Sequence, residues 1–146
     1  MKINYLLFLA IDICLGTIVV RAQSKPTPPA VSDVFTKMFP AAQNIEWRDK
    51  ISNFTAYFTN NNRKCEAKFE KNGSWLSTEE ALQWDSLPGP VQDSFRLSKY
   101  ADWKRISAYS LTSAEATTQY HLVVAKNEVG RRILFFSPEG KLVWEH

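Results

Sequence analysis

The sequence predicts an α+β fold, built as a tandem duplication of one unit that contains a helix followed by four antiparallel strands. Two matches between the halves of the chain carry this prediction. The segment 29–35 (PAVSDVF) returns as 90–95 (PVQDSF), and the segment 69–76 (FEKNGSWL) returns as 136–143 (FSPEGKLV). The offset between matched residues grows from 60 to 67, as insertions between two ageing copies would produce.

The first predicted unit opens with a helix near Pro28. Proline is tolerated in the first turn of a helix, and Thr27 is predicted to be the N-cap. Pro40 ends the helix, because the residue before a proline avoids helical angles. Apolar residues recur between these prolines at helical spacing: Val31, Val34, Phe35, Met38 and Phe39. Such a stripe predicts that one face of the helix packs on a sheet.

Four strands are predicted to complete this unit, at residues 44–48, 53–59, 63–70 and 74–78. The second of them alternates, with Phe54, Ala56 and Phe58 on one side. The connections are short, because Asn60-Asn61-Asn62 and Lys71-Asn72-Gly73 are both typical of tight turns. Strands joined by tight turns are antiparallel.

The second predicted unit opens at Leu87-Pro88-Gly89-Pro90, where a weaker helix keeps Val91 and Phe95 on its apolar face. Its strands are predicted at residues 103–110, 119–126, 131–137 and 141–145. The residues 77–86 that join the two units contain no proline- or glycine-rich linker. We therefore expect halves of about 28–86 and 87–146 in one continuous antiparallel sheet, with two helices packed on one face.

The first 22 residues are predicted to be an export signal peptide. Lys2 precedes a largely apolar stretch, and Val20-Arg21-Ala22 offers small residues for cleavage after Ala22. A retained membrane anchor is the alternative, but Asp12 in the middle of the stretch would cost about 2.5–3.5 kcal/mol on insertion. Residues 23–146 are then expected to be a periplasmic or secreted domain with no stable membrane anchor.

Charge and cysteine content restrict the partners of that domain. Cleavage after Ala22 would lower the net charge from +3 to +2, which is too weak to indicate a nucleic-acid partner. It would also leave Cys65 as the single cysteine. We expect Cys65 to be a small buried residue on the apolar side of its strand. A reactive thiol, or one that pairs between chains, is the alternative.

The sequence predicts no enzyme, no cofactor and no metal site. His121 has no ligand-type neighbours at close spacing, so it is interpreted as a structural or exposed strand histidine. The adjacent carboxylates Glu79 and Glu80 are interpreted as solvated groups on a connector. The sequence also lacks a Gly-x-Ser-x-Gly turn and a glycine-rich phosphate loop.

The order of short motifs resembles a known family. The chain contains, in this order, Met38-Phe39-Pro40-Ala41-Ala42, Ile45-Glu46-Trp47, the segment 69–76 and Leu87-Pro88-Gly89-Pro90-Val91. Over residues 28–146 this is similar to the small secreted bacterial proteins described as β-lactamase-inhibitor-like and PepSY-like. The resemblance implies a duplicated α-β4 fold, an export signal and no catalytic residues. The chain departs from the family at 129–133 (VGRRI), which lacks the usual acidic, tyrosine-rich hairpin.

The remaining candidates for function lie on the predicted open face of the sheet, because two helices on one side leave the other side uncovered. If Phe69 and Phe136 point at the helices, strand alternation brings five residues to the open face: Tyr57, Glu66, Lys68, Ile133 and Phe135. An apolar surface of this kind is unusual unless a partner covers it. The aromatic residues could alternatively stiffen the sheet through cross-strand pairs.

We therefore expect a non-catalytic exported binding module, protein-binding or inhibitor-like, with the five open-face residues as its interaction candidates. Its partner would be an unknown envelope or secreted protein. A small-ligand or peptide carrier in the cell envelope is the alternative.

Overall fold

A computed structural model describes residues 26–146 of the chain. The predicted signal peptide and its cleavage site at Ala22 lie outside the described residues. The elements follow in the order α1 (Pro29–Met38), β1 (Gln43–Asp49), β2 (Asn53–Asn60), β3 (Arg63–Glu70), β4 (Trp75–Leu82), α2 (Gly89–Arg96), β5 (Lys104–Ser113), β6 (Thr118–Ala125), β7 (Arg131–Phe136) and β8 (Leu142–Glu145). The predicted α+β class is confirmed.

The eight strands form one antiparallel sheet whose order in space is their order in the sequence, β1 to β8. Residues directly opposite each other in neighbouring strands point to the same face. Successive cross-strand pairs connect residues of one face from β3 to β7, in the order Cys65, Glu80, Ser110, Tyr120 and Phe136. Cys65 belongs to the core under α1 and Phe136 to the core under α2. Both helices therefore pack on one face, as the sequence predicts.

The helices cover two separate hydrophobic cores. Phe35 of α1 is the centre of the first core, with its ring centroid 5.0 Å from that of Phe58 and 5.1 Å from that of Trp47. Phe95 of α2 has the same role in the second core, with Trp84 at 4.9 Å. Each phenylalanine is at most 3% exposed, and full burial of such a side chain contributes about 1.5–3 kcal/mol.

A polar seam separates the two cores on the helix-covered face, where β4 and β5 meet. The register puts Thr78 opposite Thr112 and Glu80 opposite Ser110 there. The carboxylate of Glu80 forms an ion pair with Arg63 of the first half, with 2.5 Å between Oε1 and Nη1. The connection between the halves is therefore the backbone ladder of β4 and β5, which runs over six residue pairs from Ser77 to Leu82.

The two halves repeat one turn-to-helix contact. Gly73 follows β3 with φ +97°, and Gly140 follows β7 with φ +84°. A Cβ atom at Gly73 would meet the carbonyl oxygen of Ala30 in α1, and one at Gly140 would meet the carbonyl oxygen of Pro90 in α2. In each half, a close contact between a glycine turn and the start of the helix thus positions the helix on the sheet. An origin of the halves by duplication stays a prediction.

Two local predictions were wrong. Strand β4 continues to Leu82, so the residues 77–86 predicted to join the halves are mostly strand, followed by a 3-10 turn at Trp84–Ser86. The polar residues of β4 show no apolar alternation, so the sequence does not predict its second part as a strand. That part is a strand because its backbone pairs with that of β5. Thr27 is not the N-cap of α1; Pro28 is, and its carbonyl accepts the N–H groups of Val31 and Ser32.

We expect Gly73→Ala and Gly140→Ala each to destabilise the fold by at least about 1–3 kcal/mol, the usual cost of a strained backbone conformation. Both residues have positive φ, and the new Cβ would lie 2.3–2.4 Å from a helix carbonyl oxygen. Gly89→Ala is the matched control, because nothing lies within 4 Å of its Cβ position. Thermal and urea unfolding would measure the three effects, and equal melting temperatures would contradict the proposed close contacts.

Candidate functional site

The face of the sheet opposite the helices, here called the open face, is covered by no element among residues 26–146. Its side chains come from alternate positions on every strand, and most of them are half-buried because they pack against one another. Their main members are Glu46, Arg48, Tyr57, Glu66 and Lys68 in the first half, and Tyr109, His121, Ile133, Phe135 and Trp144 in the second. The candidate site is built on rigid strands rather than on loops.

The structure places all five sequence-predicted residues on the open face, in two groups. Tyr57 lies directly opposite Glu66, and Lys68 is two residues further along β3. Ile133 and Phe135 lie on β7, four strand spacings from β3. Neighbouring strands are about 4.8 Å apart, so the two groups are separated by roughly 19 Å. A small ligand could not touch both groups, whereas a protein surface could.

Charges in the first-half group are paired with one another. Lys68 Nζ lies 3.3 Å from Glu66 Oε1, and Arg48 Nη2 lies 3.1 Å from Glu46 Oε1. The Arg48 guanidinium also lies 4.8 Å from the ring centroid of Tyr57. Exposed pairs of this kind contribute little to stability, about 0–1 kcal/mol each. Each of these two pairs is neutral, whereas Lys64, opposite Thr59 on the same face, makes no ion pair among the described residues.

A run of four aromatic rings crosses the second half of the open face. The ring centroids of His121 and Phe135 are 4.2 Å apart, and those of Phe135 and Trp144 are 4.8 Å apart. His146 then stacks on Trp144 with an interplanar angle of 10°. Cross-strand aromatic pairs stiffen a sheet, as the alternative interpretation of the sequence holds. Trp144 is nevertheless 54% exposed, so the run also presents apolar surface.

Trp144, His121 and Tyr109 were missed as open-face residues by the sequence interpretation. Strand alternation predicts which residues of β7 share a face with Phe135. It does not predict which residues of β6 and β8 lie opposite them, because these depend on the register between strands. The other four tryptophans (Trp47, Trp75, Trp84 and Trp103) pack against the two cores on the helix-covered face. Trp144 is therefore the tryptophan that the open face offers to a partner.

His121 connects the second half of the open face to the first. It is 9% exposed, and its Nδ1 lies 3.4 Å from Glu79 Oε2 across the intervening strand β5. Its Nε2 is buried without a hydrogen-bond partner among the described residues. Glu79 and Glu80 are thus not solvated groups on a connector, since they lie on opposite faces of β4 and pair with His121 and Arg63.

Cys65 is separated from these groups, because it lies under α1 on the helix-covered face. It is 6% exposed, and its burial raises the pKa of the thiol, with a further contribution from the charge of Glu80. Cys65 and His121 therefore point to opposite faces of the sheet. Among residues 26–146, no group of three or more His, Cys, Asp or Glu side chains could hold a metal ion.

The described part of the chain has several depressions, and these are open rather than enclosed. An open depression of about 330 Å³ at one end of β5, β6 and β7 is lined in part by Lys104, Lys126 and Arg131. Another of about 420 Å³ lies between the start of β1 and the Asn61-Asn62 turn. A third, of about 220 Å³, lies on the open face and is lined in part by Tyr57, Glu66, Glu79 and Tyr109. All three are open to solvent, unlike the pockets that enclose a small molecule. No helix within residues 26–146 is long and apolar enough to span a membrane.

No protein-family profile matches the chain, and no curated protein matches it either. Solved structures do match. A BLIP-like protein from Bacteroides fragilis is 28% identical with a TM-score of 0.77, over 85% of this chain and 88% of that one. The predicted resemblance to β-lactamase-inhibitor-like proteins is confirmed.

Two further structures share the fold at lower identity. A DUF2874 family protein from Bacteroides ovatus is 24% identical with a TM-score of 0.79, over 84% of this chain and 89% of that one. A protein from Bacteroides eggerthii, described as a candidate periplasmic protein, is 20% identical with a TM-score of 0.78 and the same coverage.

We expect the Cys65 thiol to react with iodoacetamide more slowly in the folded chain than in urea at pH 8. Burial raises its pKa, so the thiolate is scarcer in the folded state. The stability gained from the neutral thiol is complete below about pH 8.5 and is lost as the pH rises further. Cys65→Ala should flatten this alkaline loss in urea titrations, and equal labelling rates in both states would contradict the burial.

We expect His121→Phe to be at least as stable as the wild type and His121→Ala to be less stable by about 1 kcal/mol. Phenylalanine keeps the ring contact with Phe135 and removes the buried, unpartnered Nε2, whose burial costs about 1–3 kcal/mol. Alanine removes the ring as well. Urea unfolding would rank the three proteins. If phenylalanine destabilised as much as alanine, the contact with Glu79 would be the dominant one.

Proposed function

We propose that this chain is an exported, non-catalytic protein-binding module that captures its partner with the open face of the sheet. The observation that carries the proposal is the run of aromatic rings on that face, which ends in the half-exposed Trp144. Aromatic residues held on a rigid surface are the usual anchors of protein interfaces. The sheet, with its seven strand pairings, holds these residues in place before binding. The loss of conformational entropy on binding is therefore small.

The comparisons support an inhibitor-like or binding role in general terms. One similar structure is a BLIP-like protein, and another is described as a candidate periplasmic protein. Fold alone does not transfer a function, so the identity of the partner is not taken from them. Export through the predicted signal peptide would place the module among envelope or secreted proteins.

The chemistry of the described residues supports binding rather than catalysis. A nucleophile needs a base within hydrogen-bond distance, and the candidate pair of Cys65 and His121 is divided by the sheet. His121 itself is enclosed between Phe135 and Glu79. The groups with acid–base character therefore have structural contacts that explain their positions.

The extent of the open face favours a protein over a small ligand. Its two groups of candidates lie roughly 19 Å apart across the strands, a span that suits a standard protein interface of about 800 Å² per partner. A carrier would need an enclosed apolar cavity, whereas the depressions at the sheet ends and the one beside Tyr57 on the open face are open to solvent. The carrier alternative would gain support if a metabolite library raised the melting temperature.

We expect the double variant Tyr57→Ala with Phe135→Ser to lose capture of the partner from envelope extract. The two substitutions remove apolar side chains from both halves of the open face, and anchor residues typically contribute about 2 kcal/mol or more each to binding. Immobilised wild-type and variant proteins would be compared by quantitative mass spectrometry of the retained proteins. Circular dichroism and thermal unfolding would establish that the variant is folded.

Leu97→Ser with Ile51→Ser is the matched control. These residues are 89% and 104% exposed and lie outside the open face, so the pair removes exposed apolar side chains elsewhere. A protein that is retained by the wild type and the control but not by the open-face variant is the expected result. Equal retention by all three proteins would refute the proposal.

A further inference from the structure

The open face is chemically uneven, and the unevenness indicates the kind of partner. In the first half, Glu46 pairs with Arg48 and Glu66 pairs with Lys68. In the second half, a basic corner formed by Lys104, Lys126 and Arg131 lines the 330 Å³ depression at the end of β5, β6 and β7. None of these three cations makes an ion pair with any acid of residues 26–146, although Glu128 lines the same depression.

Strand register explains how the basic corner is built. Lys104 and Arg131 are both opposite Ala125, one on each side of it, so Lys104, Ala125 and Arg131 are on the open-face side of the sheet. Lys126 follows Ala125 at the end of β6 and lines the same depression. The backbones that carry the two cations are two strand spacings apart, about 10 Å. The small side chain of Ala125 lies between them, which leaves room for an anionic group to contact both. The three cations are exposed.

An apolar strip begins directly beside the basic corner. It consists of Val123, Ile133, Phe135 and Trp144, which continue the same alternation along β6, β7 and β8. Ile133 is two residues from Arg131 along β7 and Phe135 is four, distances of about 7 and 13 Å. Unpaired positive charge and half-exposed apolar surface therefore lie within the reach of one short peptide segment.

We propose that the basic corner and the apolar strip together dock an acidic segment of the partner protein, in which carboxylates contact Lys104 and Arg131 and an adjacent apolar side chain covers Phe135 and Trp144. This inference rests on the proposed function and specifies the partner's surface. Charge complementarity supports a carboxylate-bearing segment, because uncompensated cations select anionic partners and repel cationic ones. A double-stranded nucleic acid would contact the cations and leave the apolar strip uncovered. A single strand would stack its bases on aromatic rings, but it also requires a basic groove along its backbone, and the basic corner has only three cations. A protein segment therefore fits better.

A random peptide library displayed on phage would test this inference, with selections on the wild type, on Lys104→Glu with Arg131→Glu, and on Lys37→Glu with Lys141→Glu. The control pair changes the net charge equally at exposed lysines away from the basic corner. We expect peptides from the wild type and the control to combine Asp or Glu with a nearby apolar residue. They should bind the corner variant about tenfold more weakly or worse, measured by isothermal titration calorimetry.

Lys104→Gln with Arg131→Gln is the milder variant if the reversal fails to fold, and it should weaken the same peptides in the same direction. Selected peptides without acidic residues, or acidic peptides that bind the corner variant undiminished, would overturn the inference. Tighter binding to single-stranded DNA or phosphatidylglycerol vesicles than to any peptide would also overturn it. Loss of partner capture in the Tyr57/Phe135 variant with no effect of corner reversal would refute the acidic segment and retain the proposed function.

Discussion

The pairing of β4 with β5 is the interaction on which the rest of the structure depends. Each helix buries its own core, and the polar seam of Thr78, Glu80, Ser110 and Thr112 keeps the two cores apart. The backbone ladder between these strands must therefore hold the halves in one sheet. Because hydrogen bonding fixes register to the residue, it also sets which side chains of the two halves share the open face.

That constraint has a consequence for binding. Both helices pack on the same face of the sheet, so neither covers the opposite face. The open face therefore extends without interruption across eight strands. The His121–Glu79 contact crosses β5 on this face and adds a side-chain connection to the backbone ladder. In the first half, Glu46 pairs with Arg48 and Glu66 with Lys68, which leaves Lys64 as an isolated cation among residues 26–146. The second half combines aromatic rings with the unpaired cations of the basic corner. We therefore expect the second half of the open face to determine specificity for the partner, and both halves to contribute contact area.

The sequence was sufficient for features that are encoded locally. The apolar stripes of Val31 and Phe35, the alternation around Phe69 and the glycine turns predicted the helices, the strands and the covered face. It was insufficient where the signal lies between distant strands. The end of β4 has no apolar alternation, since its residues are specified by pairing with β5. Trp144 and His121 join Phe135 only through register, which a single sequence does not reveal.

The edges of the sheet give a reason why the open face, rather than an edge strand, should be the binding surface. The pairing of β1 is shifted between Gln43 and Glu46, with Asn44 at φ +53°, and that of β8 is shifted opposite Phe135 and Phe136. Irregularities of this kind twist an edge and disrupt its row of backbone donors and acceptors, which discourages strand addition. A partner must then be recognised by side chains, and those with unsatisfied charge and exposed apolar surface stand together beside β7.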